Sequence, residues 1–146
     1  LIGNRVFGCD ICQEVCPWNR FVPETREPRF RPRDDVVGPE LIELMGLTEE
    51  EFRERYSDTP LERARRPGFL RNVAVALGNW ADPAAIPALQ RGLNEAEPLV
   101  RGHAAWALGR IGTGQARVAL EARLENEQDG WVIEEIESAL AAVSDA

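Results

Sequence analysis

Lysine is absent from this chain, so all 17 basic residues are arginines, and they stand against 25 acidic residues. The net charge of −8 excludes a surface that attracts nucleic acid over its whole area, so only local clusters of arginine can contact phosphate. The sequence also lacks an apolar run near the roughly 18 residues that a membrane span requires. We therefore predict a protein that does not enter a membrane. Its 44% of apolar residues is enough for a globular core.

Cysteine is scarce, and its three copies lie close together at Cys9, Cys12 and Cys16. An odd number excludes a complete set of disulfides, and clustered thiols suit a soft metal. The C-x2-C-x3-C-P spacing is that of the end of a bacterial ferredoxin motif, in which the cysteine before proline binds a second cluster. A structural zinc site would need a fourth ligand, and the only histidine, His103, is distant in sequence. Zinc and three reduced thiols without metal are the alternatives to [4Fe–4S] ligation.

Beyond residue 68 the chain repeats itself. Ala76-Leu77-Gly78 recurs one period later as Ala107-Leu108-Gly109, and the apolar residues around both copies keep helical spacing. A period of about 31 residues that contains two helices is typical of an α-solenoid. We therefore predict an all-α fold: a ferredoxin-like cluster loop fragment, then short helices, then a HEAT-like (PBS-type) α-solenoid.

Three regions are predicted along the chain. Residues 1–20 are the C-terminal part of a bacterial-ferredoxin-type 4Fe–4S domain, residues 21–68 are a connector with short helices, and residues 69–146 are the HEAT-like repeats. Within the connector, Thr48-x-x-Glu51 has the pattern of a capping box and predicts the start of a helix. Pro67-Gly68 is predicted to end the short helices.

Arginine clusters in two segments of this acidic chain. Four arginines lie between residues 26 and 33, together with two prolines, and four more lie between residues 63 and 71. Both segments are candidates for phosphate contact. The alternative is a solvated surface, or ion pairs with the many glutamates.

Several stretches resemble the C-terminal part of epoxyqueuosine reductase: residues 3–5, 7–13 and 15–19 around the cysteines, and residues 66–79 at the first repeat. The resemblance covers nearly the whole chain, which starts at Leu1 without an initiator methionine, and we expect a C-terminal part of a longer protein. It implies an oxidoreductase that reduces epoxyqueuosine to queuosine at the wobble position of tRNA, using cobalamin and two [4Fe–4S] clusters. In that family the cobalamin domain and the proton-donating Asp lie upstream. The resemblance therefore assigns no catalytic residue here and implies that this chain alone is inactive.

Carried onto this sequence, the resemblance implies that Cys9 and Cys12 ligate one cluster with upstream cysteines, and that Cys16 ligates the other. Asp10 and Gln13 flank these ligands and are candidates for contact with cofactor or tRNA, with solvated loop residues as the alternative. The candidates for tRNA contact are Arg29, Arg31, Arg63, Arg65, Arg66, Arg71 and Asn72. We further expect a cytoplasmic monomer whose electron donor is a ferredoxin or flavodoxin.

Two hypotheses from other classes stay open. One is an electron-transfer ferredoxin fused to a HEAT scaffold without chemistry of its own, which an upstream cobalamin domain would exclude. The other is an interaction module whose cysteines are vestigial and whose solenoid binds protein. The visible absorption of an iron–sulfur cluster in anaerobic protein would separate these two.

Overall fold

A computed structural model describes residues 3–28 and 40–144 of the chain, and all regular structure within these ranges is helical. The α-helices are α1 (Ile11–Glu14), α2 (Leu41–Leu44), α3 (Glu49–Tyr56), α4 (Arg65–Trp80), α5 (Ile86–Gly92), α6 (Pro98–Ile111), α7 (Gly114–Leu124) and α8 (Gly130–Ser144). Short 3-10 helices cover Pro17–Phe21, Pro60–Ala64 and Pro83–Ala85. The all-α prediction is confirmed. Within the described ranges, no helix combines the length and the apolar character needed to cross a membrane.

The capping box predicted before α3 is present. Thr48 Oγ1 accepts a hydrogen bond from the Glu51 backbone N–H, and the Glu51 carboxylate accepts one from the Thr48 N–H. Phe52 and Tyr56 then project from α3 against Phe69 of α4, with ring centroids 5.4 and 5.1 Å from it. The short helices thereby cover the N-terminal end of the solenoid. A terminal repeat needs such a cover, because no neighbouring repeat buries its outer apolar face.

The first repeat helix begins earlier than predicted. The preceding 3-10 helix ends just before Arg65, whose φ of +53° is rare for a residue with a side chain. Helix α4 starts there, so Pro67 lies in its first turn instead of ending a preceding helix. Proline is tolerated at that position because the first backbone N–H groups of a helix have no partner within the helix.

The solenoid consists of two helical layers. Helices α4, α6 and α8 pack side by side in one layer, and α5 and α7 form the other. The repeated Ala-Leu-Gly motif marks the helix crossings. A Cβ at Gly78 would lie 2.6 Å from the Trp106 ring, and a Cβ at Gly109 would lie 2.8 Å from that of Ala139. Glycine recurs at these positions because the neighbouring helix leaves no room for a side chain.

Two ion pairs, one half-buried and one buried, stabilise the repeats. Arg66, on α4, pairs through both terminal nitrogens with the Glu95 carboxylate, in the connection between α5 and α6. Arg101, on α6, binds Glu127 at 2.8 and 2.9 Å in the corresponding connection between α7 and α8. Arg101 also donates to the carbonyl oxygens of Glu95 and Ala96, at 2.9 and 2.7 Å. Each pair therefore fastens the first helix of a repeat to the connection that ends that repeat.

Candidate functional site

The cysteine loop lies against the first repeat helix. Asn79, near the end of α4, donates a hydrogen bond of 2.8 Å to the Gly3 carbonyl, and Val6 packs against the hydrophobic core. Between loop and helix is an open pocket of about 300 Å³. Its walls are formed by Arg5, Val6, Phe7, Gly8, Cys9, Asn72 and Val75. The fold thus brings Cys9 and Asn72 to one pocket, although the two are far apart in sequence.

The backbone on either side of Cys9 has conformations that most residues avoid. Gly8 has a φ of +63°, and Asp10 is in the left-handed region with φ 47°. The Asp10 carbonyl accepts hydrogen bonds from the N–H groups of Gln13 and Glu14, and its carboxylate accepts one of 3.1 Å from the Gln13 amide. These contacts give Asp10 and Gln13 a local role in shaping the loop. Contact of either with cofactor or tRNA stays a prediction.

All three thiols are free, with Cys9 and Cys12 exposed and Cys16 half-buried. Within the described residues, no three side chains of the His, Cys, Asp or Glu types converge on one point. Exposed free thiols on a short loop are the donors that an iron–sulfur cluster takes, and they can share a cluster with ligands from another segment. The chemistry of this donor set therefore fits [4Fe–4S] ligation.

Four large apolar side chains in the cysteine loop and just after it are exposed. Val15, Trp18, Phe21 and Val22 are 70%, 81%, 84% and 64% exposed. An exposed apolar patch of this type marks a surface that another protein segment covers. Sequence reasoning missed this patch, although its signal is present as four large apolar residues in a segment too short to form its own core.

The arginines that the sequence groups together have different environments. Arg63, in the 3-10 helix before α4, and Arg65, the first residue of α4, are exposed. Arg66 is held by Glu95 and also donates a 2.6 Å hydrogen bond to the Leu47 carbonyl, so its guanidinium is engaged inside the fold. Arg71 is half-buried, and its Nε has no hydrogen-bond partner within the described part of the chain. The candidates Arg29 and Arg31 lie outside the described residues.

A second groove extends across the same layer of helices. It has a volume of about 240 Å³ and is lined by Val75, Gly102, His103, Trp106, Trp131 and Glu135. His103 Nδ1 lies 2.8 Å from the Leu99 carbonyl oxygen, and its ring centroid is 5.7 Å from that of Trp131. Val75 lines both this groove and the pocket beside Cys9. Periodicity could not identify the groove, because its residues come from three different helices.

The helices form two layers, and the cysteine loop packs against the first repeat helix. These features define a helical-repeat protein that carries a candidate cluster site. Residues 60–141 match the family model for HEAT repeats. That match includes more than half of the chain, which therefore belongs to the HEAT-repeat family.

Several curated relatives of this chain are named epoxyqueuosine reductase. The chain is 50% identical over 117 residues to epoxyqueuosine reductase of Pseudomonas aeruginosa, an alignment that covers 77% of this chain and 31% of the relative. It is 40% identical over 130 residues to the same enzyme of Escherichia coli K12, covering 88% of this chain and 34% of the relative. The chain thus spans about a third of the length of these curated relatives.

A comparison with solved structures finds the same family of enzymes as the comparison of sequences. The chain is similar, with a TM-score of 0.90 and 33% identity, to a crystal structure of epoxyqueuosine reductase with an epoxyqueuosine-modified tRNA-Tyr stem loop. The similarity covers 98% of this chain and 38% of that one. The resemblance to epoxyqueuosine reductase predicted from the sequence is therefore confirmed, as is the HEAT-like solenoid.

Proposed function

We propose that this chain is part of an epoxyqueuosine reductase, in which its cysteine loop holds iron–sulfur clusters and its arginines contact tRNA. The observation that carries the proposal is the C-x2-C-x3-C-P loop seated on the first HEAT helix, in a chain similar to that enzyme over most of its length. Reduction of epoxyqueuosine in tRNA, with cobalamin, is assigned to the longer protein. The division into residues 1–20, 21–68 and 69–146 belongs to the same proposal.

In this proposal Cys9 and Cys12 hold one [4Fe–4S] cluster and Cys16 holds the other, with the remaining ligands outside this chain. When bound, such clusters supply single electrons, here for reduction of cobalamin. The chain's own residues keep the thiols at the surface of a rigid support, and the same segment carries exposed apolar side chains. Once another segment covers Trp18 and Phe21, water is excluded from the cluster, and burial is one of the factors that set its potential.

Contact with tRNA is assigned to the start of α4. The buried Nε of Arg71 lacks a partner in the described structure, and buried donors are nearly always paired, so an acceptor from outside the described residues is expected there. A phosphate oxygen satisfies such a donor, because a charge-assisted hydrogen bond is stronger than a neutral one. Exposed Arg63 and Arg65 add charge nearby, and Arg29 and Arg31 stay in the proposal. Arg66 does not, since Glu95 already neutralises it.

Metal analysis of the full-length protein tests the cluster proposal. Anaerobically purified protein should contain about eight irons per chain, as expected for two [4Fe–4S] clusters. It should also convert epoxyqueuosine-containing tRNA to queuosine-containing tRNA when cobalamin and a reductant are present. About one zinc per chain would contradict the proposal. Eight irons without conversion would favour the ferredoxin hypothesis instead.

Salt-dependent binding of tRNA tests the arginine proposal in the same protein. Each lost phosphate contact should lower the slope of log K against log salt by roughly 0.7 to 0.9. Arg65→Ala with Arg71→Ala should therefore weaken binding and flatten the slope, whereas Arg110→Ala, an exposed arginine at the end of α6, should change neither. An unchanged slope in the double variant would mean that these arginines lie at a solvated surface and do not contact tRNA.

A further inference from the structure

We propose, on the basis of the function proposed above, that Asn72 is a positioning residue for the cluster that Cys9 ligates. Its side-chain amide donates a hydrogen bond to the Cys9 thiolate or to an adjacent cluster sulfide, and this bond raises the reduction potential of that cluster. The proposal assigns a cluster-tuning role to a residue of the HEAT solenoid, outside the cysteine motif.

The composition of the pocket wall favours sulfur as the acceptor. Asn72 and Cys9 line the same pocket of about 300 Å³. Of the other wall residues, Val6, Phe7 and Val75 have apolar side chains, and Arg5 has donors only. Cys9 therefore carries the only side-chain acceptor that this wall offers to the Asn72 amide N–H.

The Asn72 side chain differs from those of two other asparagines in this region, which already bind backbone carbonyls. The Asn79 amide binds the Gly3 carbonyl at 2.8 Å, and the Asn19 amide binds the Gln13 carbonyl at 2.7 Å. No such bond from the half-buried Asn72 amide occurs within the described residues. The Asn72 amide can therefore donate to an acceptor that enters the pocket.

The helix holds Asn72 in a fixed place relative to the loop. Its neighbours Val73 and Leu77 are fully buried, which anchors α4 in the core. The loop is tied to the same helix by the Asn79 bond and by the packing of Val6. The backbone at Asn72 and the loop that carries Cys9 are therefore held to the same helix.

The direction of the effect follows from charge. Reduction adds one negative charge to a cluster whose sulfurs already carry negative charge. An N–H group that donates to those sulfurs stabilises the reduced form more than the oxidised form, and hydrogen bonds to sulfur are among the factors that set cluster potentials. The apolar wall strengthens this bond, because electrostatic interactions gain strength in a medium of low dielectric constant.

Redox titration of the full-length, cluster-loaded protein, followed by electron paramagnetic resonance, tests the proposal. Asn72→Leu keeps the side-chain size and removes the donor. At a fixed potential it should lower the ratio of reduced to oxidised cluster about tenfold, which is 59 mV for a one-electron couple. Asn72→Asp should also shift the potential to more negative values, because it places a negative charge beside the sulfur. Only the cluster that is lost in Cys9→Ala should respond.

A matched control is Asn94→Leu, since Asn94 is exposed and its amide binds the Gln90 carbonyl at the end of α5. Its potentials should equal those of the wild type. If Asn72→Leu does not retain the cluster, the reduction potential of the cluster in Asn72→Asp tests the proposal instead. Unchanged potentials in the cluster-containing Asn72 variants would overturn this inference and leave the proposed function intact. A wild-type protein without clusters would overturn both.

Discussion

Replacing Glu127 with glutamine should loosen the last repeat of the solenoid. The Glu127 side chain is only 1% exposed and lies in the connection between α7 and α8. Its two oxygens accept hydrogen bonds from the guanidinium groups of Arg101 and Arg123 and from the backbone N–H groups of Gln128 and Asp129. Glutamine keeps the shape but removes the charge, and it turns an N–H2 group toward donors.

The size of the effect follows from which partners remain. Removing one partner of a buried ion pair costs about 3 to 5 kcal/mol, because the other charge stays buried without compensation. Arg101 keeps its bonds to the carbonyl oxygens of Glu95 and Ala96, and Arg123 is exposed enough to turn toward water. We therefore expect the free energy of unfolding to fall by about 3 kcal/mol, at the lower end of that range.

The matched control is Glu121→Gln, which removes the carboxylate of an exposed i,i+4 pair with Arg117 on α7. Exposed pairs contribute little, so this variant should lose no more than about 0.5 kcal/mol. Urea denaturation followed by circular dichroism measures both losses. Hydrogen exchange should place the loss caused by Glu127→Gln in α7 and α8, since the substituted residue connects these helices.

The pH dependence of stability provides an independent test of the hydrogen-bond network around Glu127. The hydrogen bonds from Arg101, followed by those from the Asp129 backbone and Arg123, hold the pKa of Glu127 well below its usual 4.5. Because the folded-state pKa is below the unfolded one, the stabilisation is present above about pH 4.5 and is lost as the pH falls through the folded-state value. The difference between wild type and Glu127→Gln should therefore shrink in acid. Equal stabilities at neutral pH, or a difference independent of pH, would refute this account of the network.

Two further substitutions test the packing and the cluster assignment. Gly109→Ala should destabilise the fold by about 1 to 3 kcal/mol, because its Cβ would meet both Cβ and Cα of Ala139. Gly114→Ala is the control and should not destabilise the fold, because nothing lies within 4 Å of its Cβ position. Thermal denaturation compares the two variants, and equal losses of stability would contradict the packing argument. In the full-length protein, Cys9→Ala and Cys16→Ala should damage different clusters, because the cysteine before proline conventionally binds the second one. Electron paramagnetic resonance of the reduced variants should then show different surviving signals, and identical signals would mean that all three thiols serve one cluster.

Local patterns in the sequence were sufficient for the secondary structure and the repeat. The Thr48 capping box, the recurring Ala-Leu-Gly motif and the clustered thiols depend only on residues a few positions apart, and the structure shows the cap and the repeat where the sequence predicts them. The start of α4 was misplaced, because a proline near a helix end is compatible both with a break and with a first turn. The ferredoxin-like character of the loop stays a prediction.

The sequence by itself determined the helical class, the repeat period and the presence of a thiol loop, because helix formation and metal-ligand spacing are local properties of the chain. Only the tertiary structure decided the partners of each charged and polar side chain. Arg66 is adjacent to Arg65 in sequence, yet it is engaged with Glu95 while Arg65 is exposed. Asn72 lines the same pocket as Cys9 only because the loop packs against α4. Such pairings arise when helices pack side by side, and no pattern within one helix specifies them.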